Sequence, residues 1–166
     1  TRLRKRSLST ASSVDSLLQE LRQLDTSSLC DADKTHGGGG IRLMDSSIRP
    51  INHRFDSTPS IMAGVAKTVS FTEPNDFLPV MRALALEAQA DEVLVVNTLS
   101  STRAVAGEIF VAEARRKGLA GIVIDGPIRD TAHLDDLRST LPMRMYATGS
   151  PPYPGTTQSP GASQIP

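Results

Sequence analysis

Residues 107–130 read GEIFVAEARRKGLAGIVIDGPIRD, from Gly107 to Asp130, and this stretch decides the fold. From Ala104 to Lys117 the residues are good helix formers, with Ala106, Ile109, Phe110 and Ala114 toward one side and Glu113, Arg116 and Lys117 toward the other. Gly118 stops that helix. Leu119 to Ile124 then forms a short apolar run rich in β-branched residues, the pattern of a strand covered on both faces. Upstream, Asp91 to Asn97 (DEVLVVN) has the same character. Strand, helix and strand in that order predict a right-handed crossover between two parallel strands.

A crossover of this kind fixes where chemistry can occur, because ligands of open α/β sheets bind outside the carboxyl ends of the strands, where helix N-termini also point. Asn97 to Glu108 leaves the first strand at that end, and Asp125 to Asp130 leaves the second. Together they gather Glu108, Asp125, Arg129 and Asp130 beside helix amide groups able to bind an anion. The combination suits a small carboxylate and a hard divalent cation. An isolated Arg-Asp pair would be read as a surface ion pair worth at most about 1 kcal/mol, and Asp125-Gly126 as a turn. The joint spacing and the apolar strand favour a site.

Outward from this stretch, the composition bounds the rest. A chain of 166 residues with 39% hydrophobic content is sized for one domain with one core. Its 18 basic and 18 acidic residues cancel, so no overall field draws it to nucleic acid or to a membrane. No apolar run approaches the roughly 20 residues that span a bilayer. Cys30 is the only cysteine, so no intrachain disulfide forms and a reducing compartment is the simpler expectation. With no basic neighbour in sequence, Cys30 reads as packing.

Thr1 to Ser13 is basic, Ser-rich and free of acids, a solvated tail or an organelle-targeting remnant. Ser13 to Leu24 predicts an amphipathic helix whose stripe of Val14, Leu17, Leu18, Leu21 and Leu24 is core or interface. Thr26 to Lys34 predicts a second short helix behind a Ser/Thr cap cluster, running into His36 and Gly37 to Gly40. That glycine run lacks the strand, spacing and Lys of a phosphate loop and reads as a flexible connection. His36 and His53 have no partners at metal-ligand spacing. Ala63 to Phe71 alternates like a strand. A helix capped at Asn75 or Asp76 should run to about Ala90 with Phe77, Val80, Met81, Leu84 and Ala88 buried and Pro79 in its first turn. Ala132 to Arg138 is expected to be a short helix and Met143 to Ala147 an outer strand. The domain is thus expected over 14–149, followed by a Pro/Gly-rich linker over 150–166.

Glu108, twenty intervening residues and Arg129-Asp130, with Gly-Leu-Ala-Gly-Ile-Val-Ile-Asp-Gly between, resemble the family of regulator of ribonuclease activity A and the class II 4-hydroxy-4-methyl-2-oxoglutarate aldolases. The resemblance extends more loosely from about Leu24 to Pro166, through CDAD at Cys30 to Asp33, GGGGIR at Gly37 to Arg42 and AGVAKTV at Ala63 to Val69. It implies an α/β domain of the swivelling β/β/α type, a central sheet flanked by helices. Relatives continue from such a linker into further strands, so this chain is expected to end before the family's last strands.

The resemblance also implies chemistry. Cleavage of 4-hydroxy-4-methyl-2-oxoglutarate-type substrates, or decarboxylation of oxaloacetate, leaves pyruvate enolate, and the site must stabilise charge growing on the former keto oxygen. By resemblance Asp130 holds Mg²⁺ or Mn²⁺, partly through water, and Arg129 binds the keto and carboxylate oxygens, which its planar guanidinium matches. Glu108 binds or orients metal waters as a proton carrier, and backbone amides from Gly107 to Ile109 and Phe110 cradle the substrate carboxylate. A homotrimer or dimer of trimers is implied, in the cytoplasm or an organelle. The alternative is a non-catalytic regulator of a ribonuclease or another partner; Asp130 favours the enzyme, because regulators without lyase activity tend to lack Asp there. A menaquinone methyltransferase is disfavoured, since no Gly-rich loop followed by an acidic ribose-binding residue is present. Where many relatives are glycine-rich after the first strand, this chain reads NTLSSTR from Asn97 to Arg103.

Overall fold

The computed structural model describes residues 10–51, 61–131 and 144–148. They divide into two compact units. The first holds the described residues up to Leu43 together with 61–63, and the second holds Met44 to 51 and everything described from Gly64 onward. The expected helix at 132–138, His53 and the linker from 150 lie outside the described residues.

The second unit is built on a five-stranded sheet in the order β1-β5-β4-β3-β2. Its strands are β1 (Arg49–Pro50), β2 (Val65–Ser70), β3 (Glu92–Asn97), β4 (Gly121–Asp125) and β5 (Arg144–Ala147). All neighbours run parallel except β1, which pairs antiparallel with β5. Strand β5 therefore lies inside the sheet with β1 along its far side, a correction to its expected outer position. The predicted crossover is present as β3, then α4 (Glu108–Arg116), then β4, with Leu94 opposite Ile122 and Val96 opposite Ile124. Residues Gly121 to Ile124 are all buried, as their unbroken apolar run requires. Leu94, Val96, Ile122 and Ile124 join Val80, Leu84, Val111, Ala114 and Met145 in one core.

Helix α4 ends in a hydrogen-bonded cap that explains Gly118. The Leu119 amide donates to the Ala114 carbonyl and the Gly118 amide to that of Arg115, with Gly118 at φ 76°. That left-handed conformation favours glycine.

Its start corrects the sequence reading, which began the helix at Ala104. The Ala106 carbonyl accepts the Arg129 amide, and the Val105 amide donates to the Pro127 carbonyl, so both residues are paired to another segment before a helix can engage them. Ala104, Val105 and Ala106 are buried but not helical. The later start turns the apolar face: Val111 and Ala114 point inward, whereas Ile109 is 77% exposed rather than buried.

The helix expected from 75 to 90 is shorter and changes pitch. It consists of α3 (Leu78–Arg82) continued by a π-helical turn, Ala83–Glu87, closed by the Ala88 amide donating to the Ala83 carbonyl. The Lys117 ammonium donates to the carbonyls of Ala85 and Ala88, placing a cation at the end where carbonyls are unsatisfied. Ala83 joins Val80, Leu84 and Ala88 in the interior, and Met81 is exposed instead of buried.

The first unit carries α1 (Thr10–Leu21) and α2 (Thr26–Thr35). Asp25, not the following Ser/Thr cluster, caps α2, accepting the Ser28 amide and hydroxyl on its two carboxylate oxygens. The Arg22 guanidinium donates to the Ala63 carbonyl. Val14, Leu17 and Leu24 are exposed and Leu18 and Leu21 half-buried, so none of the predicted stripe is fully buried among the described residues. The glycine run is folded onto the end of α2: the amides of Gly39 and Gly40 donate to the Asp33 carboxylate and that of Gly38 to the Asp33 carbonyl.

Candidate functional site

Three segments leave the carboxyl ends of parallel strands: Phe71 to Phe77 after β2, Thr98 to Gly107 after β3, and Gly126 onward after β4. Helix α4 begins at this end with no side-chain cap at Gly107. Its first intrahelical-type bond is from the Val111 amide to the Gly107 carbonyl, so the amides of Glu108, Ile109 and Phe110 precede the helical ladder. Such amides, reinforced by the helix dipole, favour an anion.

Arg129 and Asp130 lie directly over Gly107. A Cβ at position 107 would stand 2.7 Å from Asp130 Oδ2 and 3.0 Å from Arg129 Cγ, so the carboxylate would have to swing away and Arg129 give by a few tenths of an ångström. Gly107 has extended backbone, so what a side chain there would meet is this close approach and not backbone strain. Arg129 Nε and Asp130 Oδ2 are 3.3 Å apart, with both side chains about two-fifths exposed. Asp130 sits at φ 61°, turning the chain sharply where its carboxylate meets Gly107.

The structure therefore brings together Gly107, Arg129 and Asp130 among the predicted site residues. Glu108 follows Gly107 in the first turn of α4, exposed to solvent. Asp125 closes β4, and its carbonyl accepts the Thr98 hydroxyl. Ile109 presents its side chain to solvent. Phe110 turns its ring inward, edge-on to Phe77 with centroids 6.0 Å apart, so any role in ligand binding falls to its backbone.

Sequence reasoning missed the polar side chains that shape the loop after β3. Asn75, itself left-handed at φ 67°, accepts the amides of Thr102 and Arg103 on Oδ1, and its own amide donates to Ser101 Oγ. The Ser101 hydroxyl donates to the Thr98 carbonyl. Leu99 and Ser100 both take positive φ, held by the Asn97 side chain accepting the Leu99 amide. The available signal was the Ser/Thr content of NTLSSTR directly behind a buried strand.

As a cation site, the donor set is hard oxygen: the part-exposed Asp130 carboxylate, with Glu108 next to Gly107 in the chain. Among the described residues no three His, Cys, Asp or Glu side chains cluster into a protein-only cage. Mg²⁺ is commonly held by one or two carboxylates with several waters; Asp130 supplies one part-exposed carboxylate here, its Oδ2 also 3.3 Å from Arg129 Nε.

The RraA-like family model, Aldolase/RraA, matches residues 26–166. The chain belongs to this family. A relative from Halalkalibacterium halodurans, named "Putative 4-hydroxy-4-methyl-2-oxoglutarate aldolase", is 32% identical over 114 residues, which is 68% of this chain and 49% of the relative. The chain thus spans about half the length of that protein. Among solved structures, one described as S-adenosylmethionine: 2-dimethylmenaquinone methyltransferase from Geobacillus kaustophilus superposes with TM-score 0.66 at 26% identity, covering 84% of this chain and 77% of the other. Streptomyces coelicolor RraAS2, described as an unusual member of the RNase ES inhibitor RraA family, gives TM-score 0.60 at 25% identity, covering 87% and 68%. The RraA-like assignment agrees with the resemblance carried by Glu108 and Arg129-Asp130 and with the parallel sheet flanked by helices. No helix among the described residues is long and apolar enough to cross a membrane.

Proposed function

We propose that the protein is a divalent-metal-dependent lyase that cleaves 4-hydroxy-4-methyl-2-oxoglutarate-type substrates to pyruvate, decarboxylates oxaloacetate, or does both. The observation that carries the reading is the seat of Arg129 and Asp130 on Gly107, at the uncapped N-terminus of α4. Names of relatives such as the Halalkalibacterium halodurans protein support the aldolase class.

In this reading the amides of Ile109 and Phe110 take the substrate carboxylate. The Arg129 guanidinium binds the keto oxygen and a carboxylate oxygen together, a fork that fits two coplanar acceptors better than an ammonium does. Asp130 would hold Mg²⁺ or Mn²⁺, which when bound supplies positive charge against the enolate oxygen. Glu108, solvent-exposed in the first turn of α4, orients water as the proton carrier. The working assembly would be a homotrimer or a dimer of trimers.

Asp130→Ala is the direct test. Metal-dependent pyruvate release should fall by at least about a hundredfold, the scale of losing a preorganised electrostatic group. Unchanged metal-dependent turnover would sink the assignment. The second reading, a non-catalytic regulator, is favoured by the fold shared with Streptomyces coelicolor RraAS2. It predicts no pyruvate release from the folded chain with any metal.

A further inference from the structure

Thr98 joins the two loops that carry the candidate site. It is completely buried, and its hydroxyl donates to the carbonyl of Asp125, the last paired residue of β4. The same oxygen lies 3.3 Å from the Ser101 amide, which donates to it. Its side chain lies against Gly126, where an added Cβ would stand 2.5 Å from Thr98 Oγ1, 2.8 Å from Cγ2 and 3.1 Å from Cβ. Three residues beyond Gly126, the Arg129 amide reaches the Ala106 carbonyl, and between them the Val105 amide reaches that of Pro127. One side-chain bond and two backbone bonds thus lace residues 125–129 onto the entry to α4.

We propose that Thr98 is a positioning residue whose hydroxyl sets the 125–130 segment against the N-terminus of α4 and so aims Arg129 and Asp130 at the substrate oxygens. The aim rests on the lyase reading; the lacing does not. Thr98 is held from behind. The Ser101 hydroxyl donates to its carbonyl over 2.6 Å and accepts the Asn75 amide over 2.7 Å, while Asn75 Oδ1 accepts the Thr102 and Arg103 amides, each over 2.9 Å. The hydroxyl is therefore anchored to a loop fixed by a third segment, and the 125–130 side that it meets is held further along by the Thr148 amide on the Gly126 carbonyl and by the Val105 and Arg129 bonds. A glycine-rich loop would leave the Asp125 carbonyl without this donor.

The test uses the full chain with Thr98→Val, which keeps the shape and removes the donor, and Thr98→Ser, which keeps the donor. Two quantities are read: kcat and KM for pyruvate release, and amide hydrogen exchange at Val105 and Arg129. Thr98→Val should lower kcat/KM by about ten- to a hundredfold, since misplacement of about 1 Å has that scale, with Thr98→Ser recovering most of the loss. Exchange at Val105 and Arg129 should accelerate in the valine chain while the Val123 amide within the sheet stays as protected as before. Unchanged exchange and kcat/KM in Thr98→Val overturn the proposal, as does a serine chain as impaired as the valine one. If the unsubstituted chain releases no pyruvate, the lyase reading fails and exchange alone decides whether Thr98 positions the segment. Ser101→Ala, which removes the brace behind Thr98, carries the same expectation at smaller size should the valine chain not accumulate.

Discussion

The crossover β3-α4-β4 and helix α1 both carry an apolar face that is plain in the sequence, yet the first is buried and most of the second is exposed. In the crossover, Leu94, Val96, Ala114, Ile122 and Ile124 are all at or near complete burial. In the first unit α2 buries no residue, and Leu17 of α1 is 53% exposed. Periodicity says which face of an element is apolar. What covers that face depends on a neighbour that the element's own residues do not specify.

The sharpest way to break this contrast is truncation in each unit. Ile122→Ala removes a wholly buried side chain and should destabilise the chain by about 2–5 kcal/mol, read from the shift in urea midpoint at constant slope. Leu17→Ala should change the same measurement by less than about 0.5 kcal/mol. Equal effects would mean that the apolar face of α1 is covered in solution.

A smaller effect is expected at the glycine on which the site rests. Gly107→Ala introduces a Cβ 2.7 Å from Asp130 Oδ2 and 3.0 Å from Arg129 Cγ, so the carboxylate must swing away and Arg129 shift slightly. Pyruvate release should drop by about tenfold or more, given the sensitivity of catalysis to placement, with circular dichroism unchanged. Full activity in the alanine chain would show that the close approach is not needed.

The smallest effect concerns α2 and pH. The Ser28 hydroxyl, followed by its amide, holds the Asp25 carboxyl below the ordinary carboxylate range. A depressed folded-state value means that the cap contributes stability above the unfolded pKa and loses it as pH falls through the lowered folded value. Carbon-detected titration of Asp25 should give a midpoint below that of Asp25 in a Ser28→Ala chain. Coincident midpoints would remove the cap from the account.

The sequence made the crossover legible because burial on both faces leaves an uninterrupted apolar run at β4 and because Gly118 marks a left-handed helix end. It also placed Arg129 and Asp130 at the correct end of the sheet, since that follows from strand direction alone. The start of α4 was not legible. Ala104 to Ala106 are good helix formers, but their backbone is claimed by Pro127 and Arg129, more than 20 positions away. Met81, in α3 ahead of the π-turn at Ala83–Glu87, faces outward, and Ala83 takes an inward place that the apolar spacing did not assign it. Loop bracing by Asn75, Thr98 and Ser101 is long-range hydrogen bonding between short polar side chains, which leaves no periodic trace. The glycine run gave the opposite difficulty: a stretch that reads as a flexible connection has the amides of Gly39 and Gly40 held by the Asp33 carboxylate.

The most direct test of the central claim is pyruvate release from oxaloacetate and from 4-hydroxy-4-methyl-2-oxoglutarate, with Mg²⁺ and with chelator, by this chain and by Arg129→Ala. The account predicts release from at least one substrate that requires the metal and is lost with the Arg129 guanidinium. A chain shown by circular dichroism to be folded, yet releasing no pyruvate under any of these conditions, would contradict it.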